Sequence, residues 1–336
     1  MMLKKILRIL DQTKAANILL LTHHNADPDA IGSAYAFKIL LGQIRPSLTV
    51  EIGVETGINR LSKQMLEYIP IEVKTRIDPE KADVLFLLDT NTIQQLGDIA
   101  EKVSKSTTPI IVIDHHALHP ETAQTARLCV INDNATSTCE VVYALFHEAK
   151  IKPDKEAAKA MFLGIAFDSR HFVLGNPSTF RTVAEIVSTG INPQEALAKL
   201  NLPMDQSERI ARLKACRRAK MVKVNEWIIA LSHVSAYQAS AARALIDLGA
   251  HVAAVAGKKA NSPEIEVSMR CSREFSERTG VHLGRDVAKP LGQYLLGEFL
   301  QGVGGGHAMA AGVNGRGQIS VALDQCLKLL KDMLSS

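Results

Sequence analysis

The chain has 336 residues, 46% of them hydrophobic and 22% charged, enough to bury more than one core and an argument against a single small module or a disordered tail. Aromatic residues make up only 4%, with one Trp and five Tyr, which argues against a protein that grips long single strands by stacking bases on many rings. Thirty-nine Lys and Arg against 35 Asp and Glu leave a formal charge of +4, far from the basicity of a general duplex-coating protein, and a small acidic substrate in a local basic cleft fits better.

In chain order, MMLKKILRILDQTKAA reads as an amphipathic helix whose apolar residues are broken by Arg8, Asp11 and Lys14, so it lacks the continuous apolar run of a signal peptide. NILLLTH at 17–23 is a short apolar run that ends in polar residues and leads into the Ala-rich, helically spaced segment from Asp29, giving strand, loop, helix. The alternation recurs with TVEIGV at 49–54, ADVLFLLDT at 82–90 and TPIIVIDHH at 108–116. Continuous Val/Ile/Leu runs separated by crossover-length segments predict buried parallel strands in a doubly wound sheet. Helices follow over 137–149 and 155–167. From Pro193 to about Lys223 the text is polar and helical, with Arg209, Arg212, Lys214, Arg217, Arg218 and Lys220; it reads as a solvated connector, the sharper alternative being a basic wall of a substrate cleft.

Beyond it, WIIALSHV, HVAAVAGKK and EIEVSMRCS read as strands, with a helix over 236–248 and a turn at 258–263. The expected architecture is therefore α/β: a parallel doubly wound sheet domain over 1–190, a helical linker over 191–223 and a second, smaller α/β domain over 224–336, with the active site in the cleft between domains. No stretch approaches the roughly 18 apolar residues that would span a bilayer, so no membrane partner is expected. Cys129, Cys139, Cys216, Cys271 and Cys326 are odd in number and form no C-x-x-C pair, a pattern of reduced thiols that suggests the cytoplasm.

The chemistry gathers where the strands end. His23, Asp27 and Asp29 leave the first strand, Asp89 closes the third, and Asp114, His115 and His116 close the fourth, and in open parallel sheets ligands collect beyond the carboxyl ends of the strands. Carboxylates that close repel one another unless protonated or neutralised by cations, so a divalent metal is the economical answer. A donor set rich in carboxylate, with a minority of imidazole and no thiolate, suits Mn²⁺ better than structural Zn²⁺, with Mg²⁺ as the alternative.

His23-x-x-x-Asp27-x-Asp29, Asp89, Asp114-His115-His116 and Gly164-x-x-x-Asp168-Ser169-x-x-Phe172 resemble, in order, the four motifs of the DHH phosphoesterase superfamily. Gly304-Gly305-Gly306-His307 followed by Ala310-Ala311-Gly312 resembles the signature of the DHH-associated C-terminal domain, and the whole looks like the nanoRNase/pAp-phosphatase branch. The resemblance implies one cation held by His23, Asp27 and Asp89 and a second held by Asp29, Asp89, His115 and Asp168, with Asp89 bridging. It implies hydrolysis by a hydroxide that the two cations activate, with no covalent enzyme intermediate. Asp114 would orient the histidines and His116 would face the scissile phosphate.

Gly304, Gly305, Gly306 and His307, read as a glycine run opening a helix-like segment, would contact phosphate or sugar. Arg270 matches a Ser-x-Arg strand motif able to clamp a terminal phosphate. Arg170 and His171 depart from the branch's usual Gly-Arg, and either would reach the phosphate. His24 and His119 read as outer residues, and Asn134 to Thr138 as a helix cap.

The expected substrates are short single-stranded oligonucleotides (nanoRNA) cut to mononucleotides, and pAp converted to AMP. The alternatives are a soluble cyclic di-AMP/pApA phosphodiesterase and, in a different class, a non-catalytic scaffold; scaffolds usually lose metal ligands, whereas every carried-over position is filled here. A homodimer is weakly favoured by the resemblance.

Overall fold

The computed structural model describes all residues except 56, 118, 202, 259–263, 297–303 and 336. Most of the turn expected at 258–263, and Gly302 and Val303 ahead of the glycine run, therefore lie outside the described residues. The chain divides into two compact units, Met1–Leu202 and Pro203–Ser336.

The first unit holds strands β1 (Asn17–Thr22), β2 (Thr49–Gly53), β3 (Val84–Leu88), β4 (Ile110–Asp114) and β5 (Leu128–Ile131), in the order β2-β1-β3-β4-β5 and all parallel. The helices are α1 (Met2–Thr13), α2 (Pro28–Ile44), α3 (Arg60–Tyr68), α4 (Ala100–Lys105), α5 (Pro120–Thr125), α6 (Thr138–Ala149), α7 (Lys155–Asp168), α8 (Pro177–Val187) and α9 (Pro193–Ala198). β3 and β4 are buried at every position, which is why they read as unbroken apolar runs rather than alternating ones.

The strand order reverses at β1, whose next neighbour on one side is β2 and on the other β3. The crevice beyond the carboxyl ends of β1 and β3 is the topological switch point, and Thr22 pairs with Leu88 there. α2 starts on that edge: Asp27 caps it, accepting from Asp29 N–H at 3.0 Å and Ala30 N–H at 3.1 Å, and Pro28 supplies a preset φ at its first position. α2 crosses α7 closely because Gly32 and Gly164 face the other helix; a Cβ on Gly32 would stand 2.6 Å from the Ala160 carbonyl oxygen.

The second unit carries a six-stranded mixed sheet in the order β10-β11-β9-β8-β7-β6, formed by β6 (Lys220–Val224), β7 (Trp227–His233), β8 (Val252–Lys258), β9 (Glu264–Cys271), β10 (Gly304–Gly306) and β11 (Ala310–Arg316). Its helices are α10 (Gln206–Arg218), α11 (Gln238–Asp247), α12 (Arg273–Thr279), a π-helical turn at Leu283–Ala288, α13 (Lys289–Leu296) and α14 (Ile319–Leu334). One apolar cluster joins the sheet to residues of α12, the π-helical turn, α13 and α14, and a smaller one joins it to α10 and α11.

Two expectations change. The segment 191–223 is not one helical stretch: α9 belongs to the first unit, with Ala196 and Leu200 buried in its core, while α10 packs on α11 and ends at Arg218. Lys220–Val224 then forms a strand because Asn225, at φ 52°, turns it back onto β7. The helix-like reading of the residues after His307 is also overturned. Ala310–Arg316 is strand β11, paired with β9 from Ala310↔Arg270 to Arg316↔Glu264, and this tertiary pairing outweighs the helix propensity of the alanines.

Candidate metal centre

The short loop after β1 turns His23 inward. Its Nδ1 lies 2.8 Å from the His24 carbonyl oxygen, a contact that keeps a proton on Nδ1 and aims Nε2 at Asp27 Oδ2, 3.8 Å away, and Asp89 Oδ2, 3.6 Å away. Asp89, just beyond β3, sits at φ 53°. It is almost wholly buried, and its Oδ1 accepts from Thr138 Oγ1 at 3.0 Å.

From the end of β4, His115 Nε2 lies 3.6 Å from Asp89 Oδ1 and 3.2 Å from Asp168 Oδ2, with its Nδ1 3.4 Å from the Ala135 carbonyl oxygen. Asp29, fully buried in the first turn of α2, accepts from Thr138 N–H at 2.6 Å and Cys139 N–H at 3.0 Å. The N-terminus of α6 thereby steadies a carboxylate. Asp168 arrives from the last residue of α7.

Two sets of donor atoms result. His23, Asp27 and Asp89 each offer an atom such that all lie within 4.8 Å of one another, and so do Asp29, Asp89, His115 and Asp168; Asp89 belongs to both. A third such group joins Asp89 with Asp114, His115 and His116. Donor pairs 3.2–3.8 Å apart suit ligands that surround one cation at about 2.1 Å and so stand about 3–3.4 Å from one another.

The electrostatics tell the same story. Burial, then the charges of Asp89 and Asp168, push the Asp29 carboxyl well up; burial and Asp89 raise Asp27 from 3.8 to about 6. Burial opposes protonation of His23, yet its hydrogen bonds to Asp89 and the His24 carbonyl, with the charges of Asp27 and Asp89, lift it to about 9. Burial likewise opposes protonation of His115, but Asp168 and Asp89 raise it. Asp89 itself is held low, the imidazoles of His23, His115 and His116 outweighing its burial. His115 Nε2 is buried between the Asp89 and Asp168 carboxylates. These crowded, raised carboxyls and the imidazole aimed between them fit divalent cations. Cys139, beside Asp29, is no ligand: its Sγ is 3.7 Å from the Asp29 carbonyl oxygen, and burial and the Asp29 charge push its thiol far up.

His116 projects from the rim with its side chain 53% exposed. Its Nδ1 and its backbone N–H both lie 2.9 Å from Asp114 Oδ1; this bond, against partial burial, raises the ring to about 9. Asp114 is fully buried, and its Oδ2 has no hydrogen-bond partner among the described residues. A cavity of about 630 Å³ opens beside the two histidines, lined by Ala135, Thr136, Phe167, Asp168, Arg170 and Leu174 as well. Arg170, His171 and Phe172 are three successive residues with positive φ. Arg170 faces the cavity, whereas His171 is exposed and does not line it.

His24 sits outside the cluster, its Nδ1 3.1 Å from the Gln95 carbonyl oxygen, and His119 occupies the position before α5. Ser137 caps α6 by accepting from Glu140 N–H at 3.3 Å, but its neighbour Thr138 turns to Asp89. That role, and that of buried Glu140, which holds Thr136 N–H and Thr179 Oγ1, escaped the sequence. The signal was the Ser137-Thr138-Cys139-Glu140 cap itself, since a polar residue just inside a helix start has its side chain free for a neighbouring group.

The remaining residues of interest lie in the second unit. Arg270, on β9, pairs with Ala310, and Gly304, Gly305 and Gly306 are β10 itself. His307 is exposed, its N–H donating to the Ala310 carbonyl at 2.8 Å. Gly304 and Gly306 answer to close backbone packing: a Cβ on Gly304 would strike the Ala288 carbonyl, and Gly306 adopts φ +141° with Ala310 and Ala311 against it. A Cβ on Gly305 would meet none of the described residues within 4 Å.

Residues 17–165 match the DHH family, N-terminal domain, a span that contains every residue of the cluster except Asp168. The uncharacterised protein MJ0988 of Methanocaldococcus jannaschii is 35% identical over 308 residues, covering 92% of this chain and 90% of that protein. The uncharacterised protein MG371 of Mycoplasma genitalium is 27% identical over 175 residues, 52% of each chain. Among solved structures, an exopolyphosphatase-related protein from Bacteroides fragilis superposes with a TM-score of 0.62 at 19% identity, over 99% of this chain and 97% of that one. It shares the two-unit α/β fold.

Proposed function

The chain belongs to the DHH family, and from that premise we propose that it is a metal-dependent phosphoesterase that trims very short oligonucleotides to mononucleotides and converts pAp to AMP. The observation that carries this reading is the pair of donor groups sharing Asp89 at the switch point of a parallel sheet. In the proposal His23, Asp27 and Asp89 hold one divalent cation and Asp29, Asp89, His115 and Asp168 hold another, with Mn²⁺ favoured and Mg²⁺ the alternative. Such a pair, when bound, supplies Lewis acidity and lowers the pKa of water.

The chain's own groups do the rest. Thr138 Oγ1 and the N–H groups opening α6 fix the two buried carboxylates, so the donor cage is set before substrate arrives. Asp114 holds the His116 ring by Nδ1, which leaves Nε2 free at the rim. With its protonated form favoured, that nitrogen carries a proton that it can donate to a phosphoryl or leaving oxygen. Arg170 adds a fixed positive charge in the adjoining cavity. The apolar wall of Ala135, Phe167 and Leu174 favours an organic ester over a bare inorganic chain of phosphates. Arg270, Gly304, Gly305, Gly306 and His307 are the proposed contacts of the second unit with substrate.

The test is a panel of 5′-labelled RNA dinucleotide, pAp, cyclic di-AMP and long single-stranded DNA, each with Mn²⁺. Dinucleotide and pAp turnover well above that of long DNA supports the reading. Equal or faster digestion of long DNA overturns the size preference, and preferential opening of cyclic di-AMP moves the assignment to a cyclic-dinucleotide phosphodiesterase.

A further inference from the structure

The start of α6 carries more than a helix cap. In a capping box the third helical residue returns its side chain to the N–H of the capping residue itself, and Glu140, third in α6 behind the cap Ser137, has the chemistry to do so. It reaches one residue further back instead. Its Oε1 accepts from Thr136 N–H at 3.0 Å, from Thr136 Oγ1 at 2.5 Å and, across from α8, from Thr179 Oγ1 at 3.0 Å. Glu140 is 6% exposed and Thr179 wholly buried. Among the described residues no Lys, Arg or His forms an ion pair with this carboxyl. A buried acid without a counter-charge costs stability, so capping alone does not account for it.

What Glu140 grips is an arch beside the metal centre. The Ala135 carbonyl oxygen, next to Thr136, stands 3.4 Å from His115 Nδ1, and the other nitrogen of that ring points between Asp89 and Asp168. Ala135 and Thr136 also wall the cavity beside the histidines, together with Arg170 and Leu174. α8 begins just beyond that Arg170–Leu174 turn. Its cap Asn176 accepts from Ser178 N–H and Thr179 N–H, and donates from Nδ2 to the Asn134 carbonyl at 2.8 Å. The arch 134–136 is thus tied to α8 twice, through Asn176 and through the oxygen of Glu140 that Thr136 and Thr179 share.

We propose that Glu140 is a positioning residue: by holding Thr136 and Thr179 on one oxygen it fixes both the Ala135 carbonyl that orients the His115 ring and the spacing of the cavity walls. That role rests on the metal-centre reading of the proposed function. Glu140 itself neither lines the cavity nor belongs to a donor group, so it acts only through Thr136 and Thr179. Loss of the acceptor behind a ligand imidazole lowers metal affinity about 10- to 100-fold. The loss should fall on the group of Asp29, Asp89, His115 and Asp168 and spare that of His23, Asp27 and Asp89.

The test is Mn²⁺ titration of the full chain, followed by electron paramagnetic resonance, with Glu140→Ala, Glu140→Gln and Thr179→Val beside the intact protein and Asp27→Asn marking the class of site without His115. Glu140→Ala should weaken the His115 class at least about tenfold and leave the other within about threefold. Glu140→Gln, whose amide oxygen still accepts all three hydrogen bonds, should recover most of the affinity. Thr179→Val, which spares the contacts with Thr136, should raise KM for an RNA dinucleotide about threefold at unchanged Mn²⁺ affinity. A merely structural role would lower the melting temperature of Glu140→Ala and move neither readout. Unchanged affinity of the His115 class, equal weakening of both classes, or a Glu140→Gln variant as impaired as Glu140→Ala overturns the proposal. Should Glu140→Ala fail to fold, Thr179→Val decides, and an unchanged KM overturns it. An intact chain that binds two Mn²⁺ ions yet hydrolyses no ester refutes the proposed function and leaves the role of Glu140 to be read from the Mn²⁺ classes alone.

Discussion

Gly164→Ala is a one-methyl probe of the metal centre at a residue that offers no ligand atom of its own. The added Cβ would stand 2.8 Å from Asp29 Oδ1 and 3.0 Å from Asp29 Cα, and would strike Cys139 Sγ. Since α2 and α7 cross there and both are buried, nothing can yield without moving the Asp29 carboxylate off the N–H groups of Thr138 and Cys139. Overpacking of a tight core costs about 1–3 kcal/mol, and weakening one of two hydrogen bonds to a charged group adds about 1–2 kcal/mol. The sum, about 3 kcal/mol, corresponds to a melting temperature about 6–12 °C lower for a unit of this size.

Calorimetry of the chelator-treated protein measures that shift, and Mn²⁺ titration followed by electron paramagnetic resonance should show one class of sites weakened at least tenfold. Cys139→Ala removes the sulfur in the way, so Gly164→Ala/Cys139→Ala should recover part of the stability but not the Mn²⁺ affinity, because the contact with Asp29 remains. A Gly164→Ala variant with unchanged melting temperature and unchanged Mn²⁺ binding would refute the argument that helix crossing and cation cage are one packed object.

Other consequences are open to measurement. His116→Gln should lower kcat about 100-fold or more while leaving Mn²⁺ affinity within about threefold; loss of Mn²⁺ binding would make His116 a ligand instead. Folded-state values raised above ordinary ones, Asp27 to about 6 and His23 and His116 to about 9, stabilise the fold fully only below the unfolded values and lose that contribution as pH rises through the folded ones. In chelator the melting temperature should therefore fall between pH 6 and pH 9, and a rise over that interval contradicts the assignment. Mn²⁺ affinity should increase over the same interval, since binding displaces protons from His23 and His115; a flat profile argues against both as ligands. Asp114→Asn keeps an acceptor for His116 but removes its counter-charge, and should lower kcat about 10- to 100-fold with little change in KM.

Much of the first unit was legible because its strands are buried on both faces. NILLLT, VLFLL and IIVID stand out as apolar runs, and Asp89, Asp114 and His115 are visible as the polar residues that end them. β5 was not foreseen, since LCVI is only partly buried and too short to mark itself. In the second unit the errors came where pairing partners far along the chain decide the conformation: Ala310–Arg316 is made a strand by β9, and Lys220–Val224 by β7. The donor residues could be read from their motifs, but their surroundings could not. That Thr138 turns from its helix start to Asp89, that both oxygens of Asp29 meet the beginning of α6, and that Arg170 rather than His171 faces the cavity depend on side-chain directions that spacing does not encode.

The most direct test of the central claim counts cations. Equilibrium Mn²⁺ binding to the intact chain at about pH 7.5, with the ion in enough excess to displace the protons of His23 and His115, should saturate at about two ions per chain, because two donor groups meet at Asp89. Asp89→Asn removes a charge both would share, worth about 4 kcal/mol per divalent ion at about 2.1 Å even at the dielectric of water, so both sites should weaken about 1,000-fold and Mn²⁺-dependent hydrolysis should vanish. An intact chain that binds no Mn²⁺ or Mg²⁺, or an Asp89→Asn variant that still binds two ions at the original affinity, would contradict the account.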